Sequence, residues 1–272
     1  MSTSGMSWGS PVRNFLIQVY TTYRGLFGWL NWFGYISNVI FRPVVLVLIY
    51  SVLGRFSGSP EAGRSYALGI ASFTMAMNIL PGIAQCYTYD RTGGTLSFFF
   101  ASPANRLESY LARAVLHYPN GLLSFVSALV TAWLVVGIDF GSVNWAGFIL
   151  AVFTTALSIA ALGEFLGPFA IAFRDWSNIQ NILVGMILVF SGVIIPLSVL
   201  PVPIQEFARL LPITNGLASI RSTFIGAPLA ETSGYLLREG LTGLGYLALG
   251  YLGFGLFEKV ARRNGALEQE SF

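Results

Sequence analysis

Charge is what this sequence has least of. Aspartate, glutamate, lysine and arginine make up 10% of its 272 residues, against about a quarter in an ordinary soluble domain. So few charges cannot cover a chain this long, and the lipid bilayer must act as part of its solvent. Cysteine is nearly absent: Cys86 stands alone, so no disulfide forms within the chain and the redox compartment is not legible. The lone histidine, His117, cannot complete a zinc or iron ligand set with Cys86, and in its apolar surroundings it reads as a packing residue. The only lysine, Lys259, is followed by Val260. The phosphate cradle G-x-x-x-x-G-K-[ST] is therefore missing, and the chain does not bind ATP in that manner. No spacing suggests a serine–histidine–acid set or a glycine-rich dinucleotide fingerprint, which leaves a membrane-embedded hydrolase without its polar constellation.

What the sequence does have is apolar runs. They are expected at about 31–53, 66–87, 109–137, 143–173, 179–195 and 241–257, each near the ~20 residues that a helix needs to cross a bilayer. Ahead of them, residues 12–30 place Phe15, Leu16, Val19, Tyr20, Tyr23 and Leu26 at helical spacing, with Arg13, Gln18 and Arg24 toward the other face. This predicts an amphipathic helix lying in the membrane interface. The opening MSTSGMSWGSPVR has no basic region leading into an apolar core, so no cleaved signal peptide is expected.

The net charge of +3 is dispersed between apolar runs, which fits an orientation bias rather than a nucleic-acid surface. With both termini in the cytoplasm, ten basic residues fall inside and five outside. In that count Arg42, before Pro43, is taken as a snorkelling side chain at the cytoplasmic interface. Residues 196–226 carry Pro196, Pro201, Pro203 and Pro212, which break any continuous helix and predict short re-entrant helices at the outer face. Pro203 suits a first helical turn. Glu164 is the one acid that the pattern places deep in a span, where it either lines a substrate path or packs beside Gly163 and Gly167. Arg174 and Asp175 read as a short charged turn.

Between the second and third runs lies DRTGGTLSFFFASPANR, residues 90–106. Gly93 and Gly94 form a hinge, Thr95 can cap a helix, Leu96, Phe98 and Phe99 give a short rod an apolar face, and Pro103 forces its end. Such a rod can anchor in a groove.

This segment resembles the E-R-x-x-G-T-L-x-x-L-x-x-[ST]-P-x-x-R signature of type-2 ABC exporter permeases of the daunorubicin-resistance kind. FRDWSN resembles that family's F-R-D turn, and the block from Leu188 to Gly226 is similar to its proline-punctuated outer region. Asp90 stands where the signature has glutamate, and phenylalanines replace its usual leucines. The resemblance implies one all-α membrane domain over 1–272: six transmembrane helices, an interface helix over 12–30, a cytoplasmic coupling helix within 90–106 and an outer re-entrant region over 196–226. Asp90, Arg91, Gly93, Gly94, Thr95, Leu96, Phe98, Phe99, Ser102, Pro103, Arg106, Arg174 and Asp175 would engage a separate ATPase, usually in two copies, which alone would hold ATP and Mg. Glu164, Pro196, Pro212 and Arg221 would line or gate the path of an amphiphilic drug, antibiotic or lipid through a permease homodimer in the bacterial cytoplasmic membrane. Polysaccharide or glycolipid export is the alternative within this fold, on account of Trp29, Trp32, Phe33 and Tyr35. An ion-coupled transporter would need paired intramembrane charges and matching halves, and neither is seen.

Overall fold

The computed structural model describes residues 11–27, 31–56, 60–92, 106–173 and 175–263, and every regular element among them is helical. Helix α1 (Pro11–Phe27) occupies the amphipathic segment. Its Leu16, Ile17, Tyr20 and Tyr23 remain exposed, as an interface helix requires. Next comes α2 (Trp32–Ile36), capped by the Asn31 side chain, which accepts from the Phe33 N–H. It runs through a π-helical turn at Ser37–Phe41 directly into α3 (Arg42–Phe56).

Helices α4 (Pro60–Thr92), α5 (Arg106–Thr131) and α6 (Trp145–Ala172) follow. Helix α5 unwinds through a second π turn, Ala132–Val136, and stops at Gly137, whose φ of 71° is open to glycine. Among the described residues four stretches are long and apolar enough to cross a membrane: Trp32–Gly54, Glu61–Tyr89, Ser109–Val136 and Trp145–Ile171. They coincide with the first four expected runs to within a few residues. Helix α7 (Trp176–Phe190) is shorter, α8 (Val202–Leu210) and α9 (Thr214–Phe224) are the short helices expected between prolines, and α10 (Leu229–Arg263) ends the described chain. Pro203 sits in the first turn of α8. Large apolar side chains such as Val45, Ile49, Val126, Ile149, Leu157, Leu244 and Leu252 face outward, where only lipid can solvate them favourably.

Helix α4 is the hub, with α3, α5 and α6 packed around it. Antiparallel pairing with α3 brings Gly54 against Tyr66 and Asn38 against Asn78. With α5, Gly82 meets His117 and Ile79 meets Gly121. Helices α4 and α6 are parallel, Ile83 meeting Gly163 and Tyr87 meeting Gly167, and α10 runs parallel to α6 through Gly243 at Ser158 and Gly250 at Phe165. Small residues at these contacts let backbones approach without a strong hydrophobic drive, as lipid requires. A Cβ on Gly167 would lie well inside van der Waals contact with the nearest carbon of the Tyr87 ring. Gly167→Ala is therefore expected to destabilise the purified chain by about 1–3 kcal/mol through overpacking. Gly185→Ala, inside α7 where a Cβ meets nothing within 4 Å, should not destabilise and should raise stability by up to about 1 kcal/mol.

Candidate functional site

A cavity of about 260 Å³ opens among α2, α3, α4, α5 and α7. Along α4 its wall runs from Met77 through Asn78, Gly82 and Gln85 to Tyr89, about 18 Å of helix at ~1.5 Å per residue. Tyr89 lies one turn before Thr92, so the cavity starts at the end of the bundle that carries residues 93–105 and reaches its middle. The lining is rich in neutral hydrogen-bonding groups: Tyr35, Asn38, Asn120, Gln180 and Asn181 join those of α4, and none of the described lining residues is acidic.

The floor is a connected polar network. The Arg42 guanidinium donates to Asn38 Oδ1 at 3.3 Å, Asn38 Nδ2 to Asn78 Oδ1 at 3.4 Å, and Asn78 Nδ2 to Ser124 Oγ at 2.9 Å. Tyr35 donates its hydroxyl to Asn120 Oδ1 at 2.8 Å. Pro43 has no N–H to offer the preceding turn. The freed Val39 carbonyl is taken up by Ser124 and Ser127 hydroxyls at 3.0 and 3.3 Å, the repair expected of a proline in a membrane helix. The helix thus passes Pro43 without stopping. Arg42 does not begin a span at the interface: it stands near the midpoint of Trp32–Gly54.

His117 lines the same cavity, and its Nε2 lies 3.4 Å from Cys86 Sγ. Among the described residues no three His, Cys, Asp or Glu side chains are grouped to hold a metal.

Glu164 is elsewhere. It is buried, accepts the Tyr87 hydroxyl at 2.5 Å, and borders a second, almost wholly apolar cavity of about 600 Å³ between α5, α6 and α10. Tyr87 is in turn stacked on Tyr110, with ring centroids 3.8 Å apart. Glu164 is not the only buried acid. Glu239 on α10 is fully buried and accepts the Ile213 N–H at 2.7 Å and the Gly216 N–H at 2.9 Å. Those donors belong to the start of α9, so Glu239 serves as that helix's N-terminal cap from a distant element. Ile213 has φ 85°, a costly conformation for a β-branched residue, and Glu239 helps to hold it.

Arg221 secures the other half of α9. Its guanidinium donates to the Gly192, Val193 and Ser65 carbonyls at 2.9, 3.2 and 3.0 Å. Burial pushes this guanidinium down to about 10, so it stays charged at neutral pH. Helix α9 is thereby tied to α10, to the turn after α7 and to the first turns of α4, at the end of the bundle opposite residues 93–105. Phe140, Phe148 and Phe224 fill the space beneath with edge-on rings. Pro212 is buried in the turn between α8 and α9, and Pro196 is exposed ahead of α8.

Gly93, Gly94, Thr95, Leu96, Phe98, Phe99, Ser102, Pro103 and Arg174 lie outside the described residues. Asp90 and Arg91 belong to the last turn of α4, Arg106 to the first residue of α5, and Asp175 precedes α7 as an exposed cap.

Sequence comparison adds the rest. Nodulation protein J of Rhizobium leguminosarum bv. viciae is 28% identical over 100 residues, 36% of this chain and 39% of that protein. Nodulation protein J of Rhizobium meliloti (strain 1021) is 26% identical over 100 residues, 36% of this chain and 38% of its own. The match thus spans about two fifths of each relative's length. The family model described as ABC-2 type transporter is far broader and matches residues 17–225, from α1 to the end of α9. With most of its length inside that match and membrane-crossing helices throughout, the chain belongs to the ABC-2 type transporter family and is a multi-pass membrane permease.

Proposed function

We propose that this permease is the transmembrane subunit of an ATP-driven exporter that moves an amphiphile out of a bacterial cytoplasmic membrane by alternating access. One observation carries the reading: a polar half-channel enters from the end that bears residues 93–105 and stops at mid-depth, while the opposite end is closed by α8 and α9. That is the shape of an inward-open state. In this reading α7 and α10 complete six spans. The parallel pairing of α6 with α10 supports it, because one crossing must lie between them. Both termini then share the cytoplasmic side, and the basic excess there is nine to five once mid-span Arg42 is left out.

ATP and Mg belong to a separate ATPase, bound in two copies to a permease pair. In this reading the coupling segment 90–106 receives the push of the ATPase, and Arg174 and Asp175 contribute to the same contact. Pro196, Pro212 and Arg221 sit at the outer gate. The amide- and phenol-rich lining favours a hydroxylated head group, which supports glycolipid or polysaccharide cargo as the second reading.

The test is copurification of an ATPase expressed with the full chain. Phe99→Asp puts a charge on the apolar face of the rod, and recovery of the ATPase should fall about tenfold or more if that face seats in a groove. Unchanged recovery and unchanged export would sink the coupling assignment.

A further inference from the structure

The half-channel holds a cation where membranes tolerate few. Arg42 stands near the middle of Trp32–Gly54, on the cavity wall, and its side chain is exposed to that space. A charged side chain at this depth is costly and persists where it serves a ligand or a water-filled path. Its hydrogen bond in the structure is to a neutral amide, Asn38 Oδ1, and no carboxylate is among the described residues that line the cavity. Among the described residues, none pairs this guanidinium with a carboxylate. Immediately before it the helix widens into the π turn Ser37–Phe41, a distortion that is frequent at functional sites. Asn38 and Asn78 add neutral donors and acceptors beside the charge, the kind of surroundings that bind hydroxyls next to an anionic group.

From these observations we infer that Arg42 is the recognition residue for an anionic group, phosphate or carboxylate, on the head of the transported amphiphile, and that the cavity selects against cationic amphiphiles. The inference rests on the export reading for its biological meaning, and on the cavity alone for its chemistry. A guanidinium matches a phosphate or carboxylate through two parallel hydrogen bonds. In the low-dielectric middle of the bundle that pairing is stronger than at a surface. A cationic head would meet a positive charge instead, with no acid among the described lining residues to receive it.

The test uses the full-length chain in phosphatidylcholine nanodiscs, photolabelled with a diazirine derivative of dodecyl phosphate. Unlabelled dodecyl phosphate, dodecyl maltoside and dodecyltrimethylammonium serve as competitors. Wild-type protein should be labelled on α3 and α4, with dodecyl phosphate competing about tenfold better than either other amphiphile. Arg42→Gln should remove that preference, and Arg42→Lys, which keeps the charge but not the paired hydrogen bonds, should leave a preference between those of wild type and Arg42→Gln. Asn38→Asp reaches the same end without touching Arg42, by supplying the missing carboxylate one turn away, and should also abolish the preference. Equal competition by the three amphiphiles in wild type overturns the inference, as does a preference that survives both Arg42→Gln and Asn38→Asp. Because no ATPase takes part, a preserved preference with no copurifying ATPase overturns the export reading and leaves the Arg42 assignment standing. The opposite pair of results does the reverse.

Discussion

Glu239→Ala should lower the unfolding temperature of the purified permease by roughly 5 °C or more and abolish transport. The substitution strands the Ile213 and Gly216 N–H groups in a fully buried site. Each orphaned donor costs about 1–3 kcal/mol, and no water is expected to reach a site packed between α6, α9 and α10. The loss also removes what holds Ile213 at φ 85°, so the start of α9 is expected to relax and the outer closure to loosen. Glu239→Gln keeps one carbonyl oxygen for one of the two donors and turns an amide toward the other, so its effect should fall between wild type and alanine. Thermal unfolding of all three proteins in one detergent checks the order. An alanine variant as stable as wild type would show that the cap is dispensable.

The second large effect is expected from Arg221→Met, which keeps the length of the side chain and removes every donor. Three main-chain carbonyls, those of Ser65, Gly192 and Val193, lose their partner at once. Hydrogen bonds from a charged donor contribute about 1.5–3 kcal/mol, so the loss should rival that of Glu239→Ala. Gly69 lies under the same guanidinium, where an added Cβ would meet Val193 O and Arg221 Nη2, so the site cannot readily repack around a different side chain. Both substitutions act on α9, and once one anchor has failed the other has less to hold. The double variant should therefore lose less than the sum of the single losses. Full additivity would mean that the two anchors act on separate units.

The first four membrane spans were legible because hydropathy is a local property: an apolar run long enough to cross a bilayer has few alternatives to a helix. The breaks around the short helices α8 and α9 were legible for the same reason, since each proline acts on its own turn. Glu239 was not. It sits next to Arg238 in LREG, which reads as the polar margin of a span. What buries it is the start of α9, more than twenty residues earlier in the chain. Arg42 was misplaced by a sound local rule, that a long basic side chain beside an apolar run snorkels to the interface. The rule was overridden by two serines of α5 that satisfy the Val39 carbonyl, a contact that no window around Pro43 contains. Glu164 is buried as its place in an apolar run implied, yet nothing near it in sequence points to Tyr87 as its donor.

The wide turn at Ser37–Phe41 gives the first span slack. A π turn stores one residue more than the α-helix around it needs. Passing that surplus along by one position would advance the segment it crosses by about 1.5 Å and swing it by about 100°, while the hydrogen-bond ladder reforms behind it. Arg42 borders that turn, so it could be carried from one side of the helix to another without a hinge, a broken helix or a rigid-body tilt. A screw of this kind turns a small push along the axis into a large change of aim.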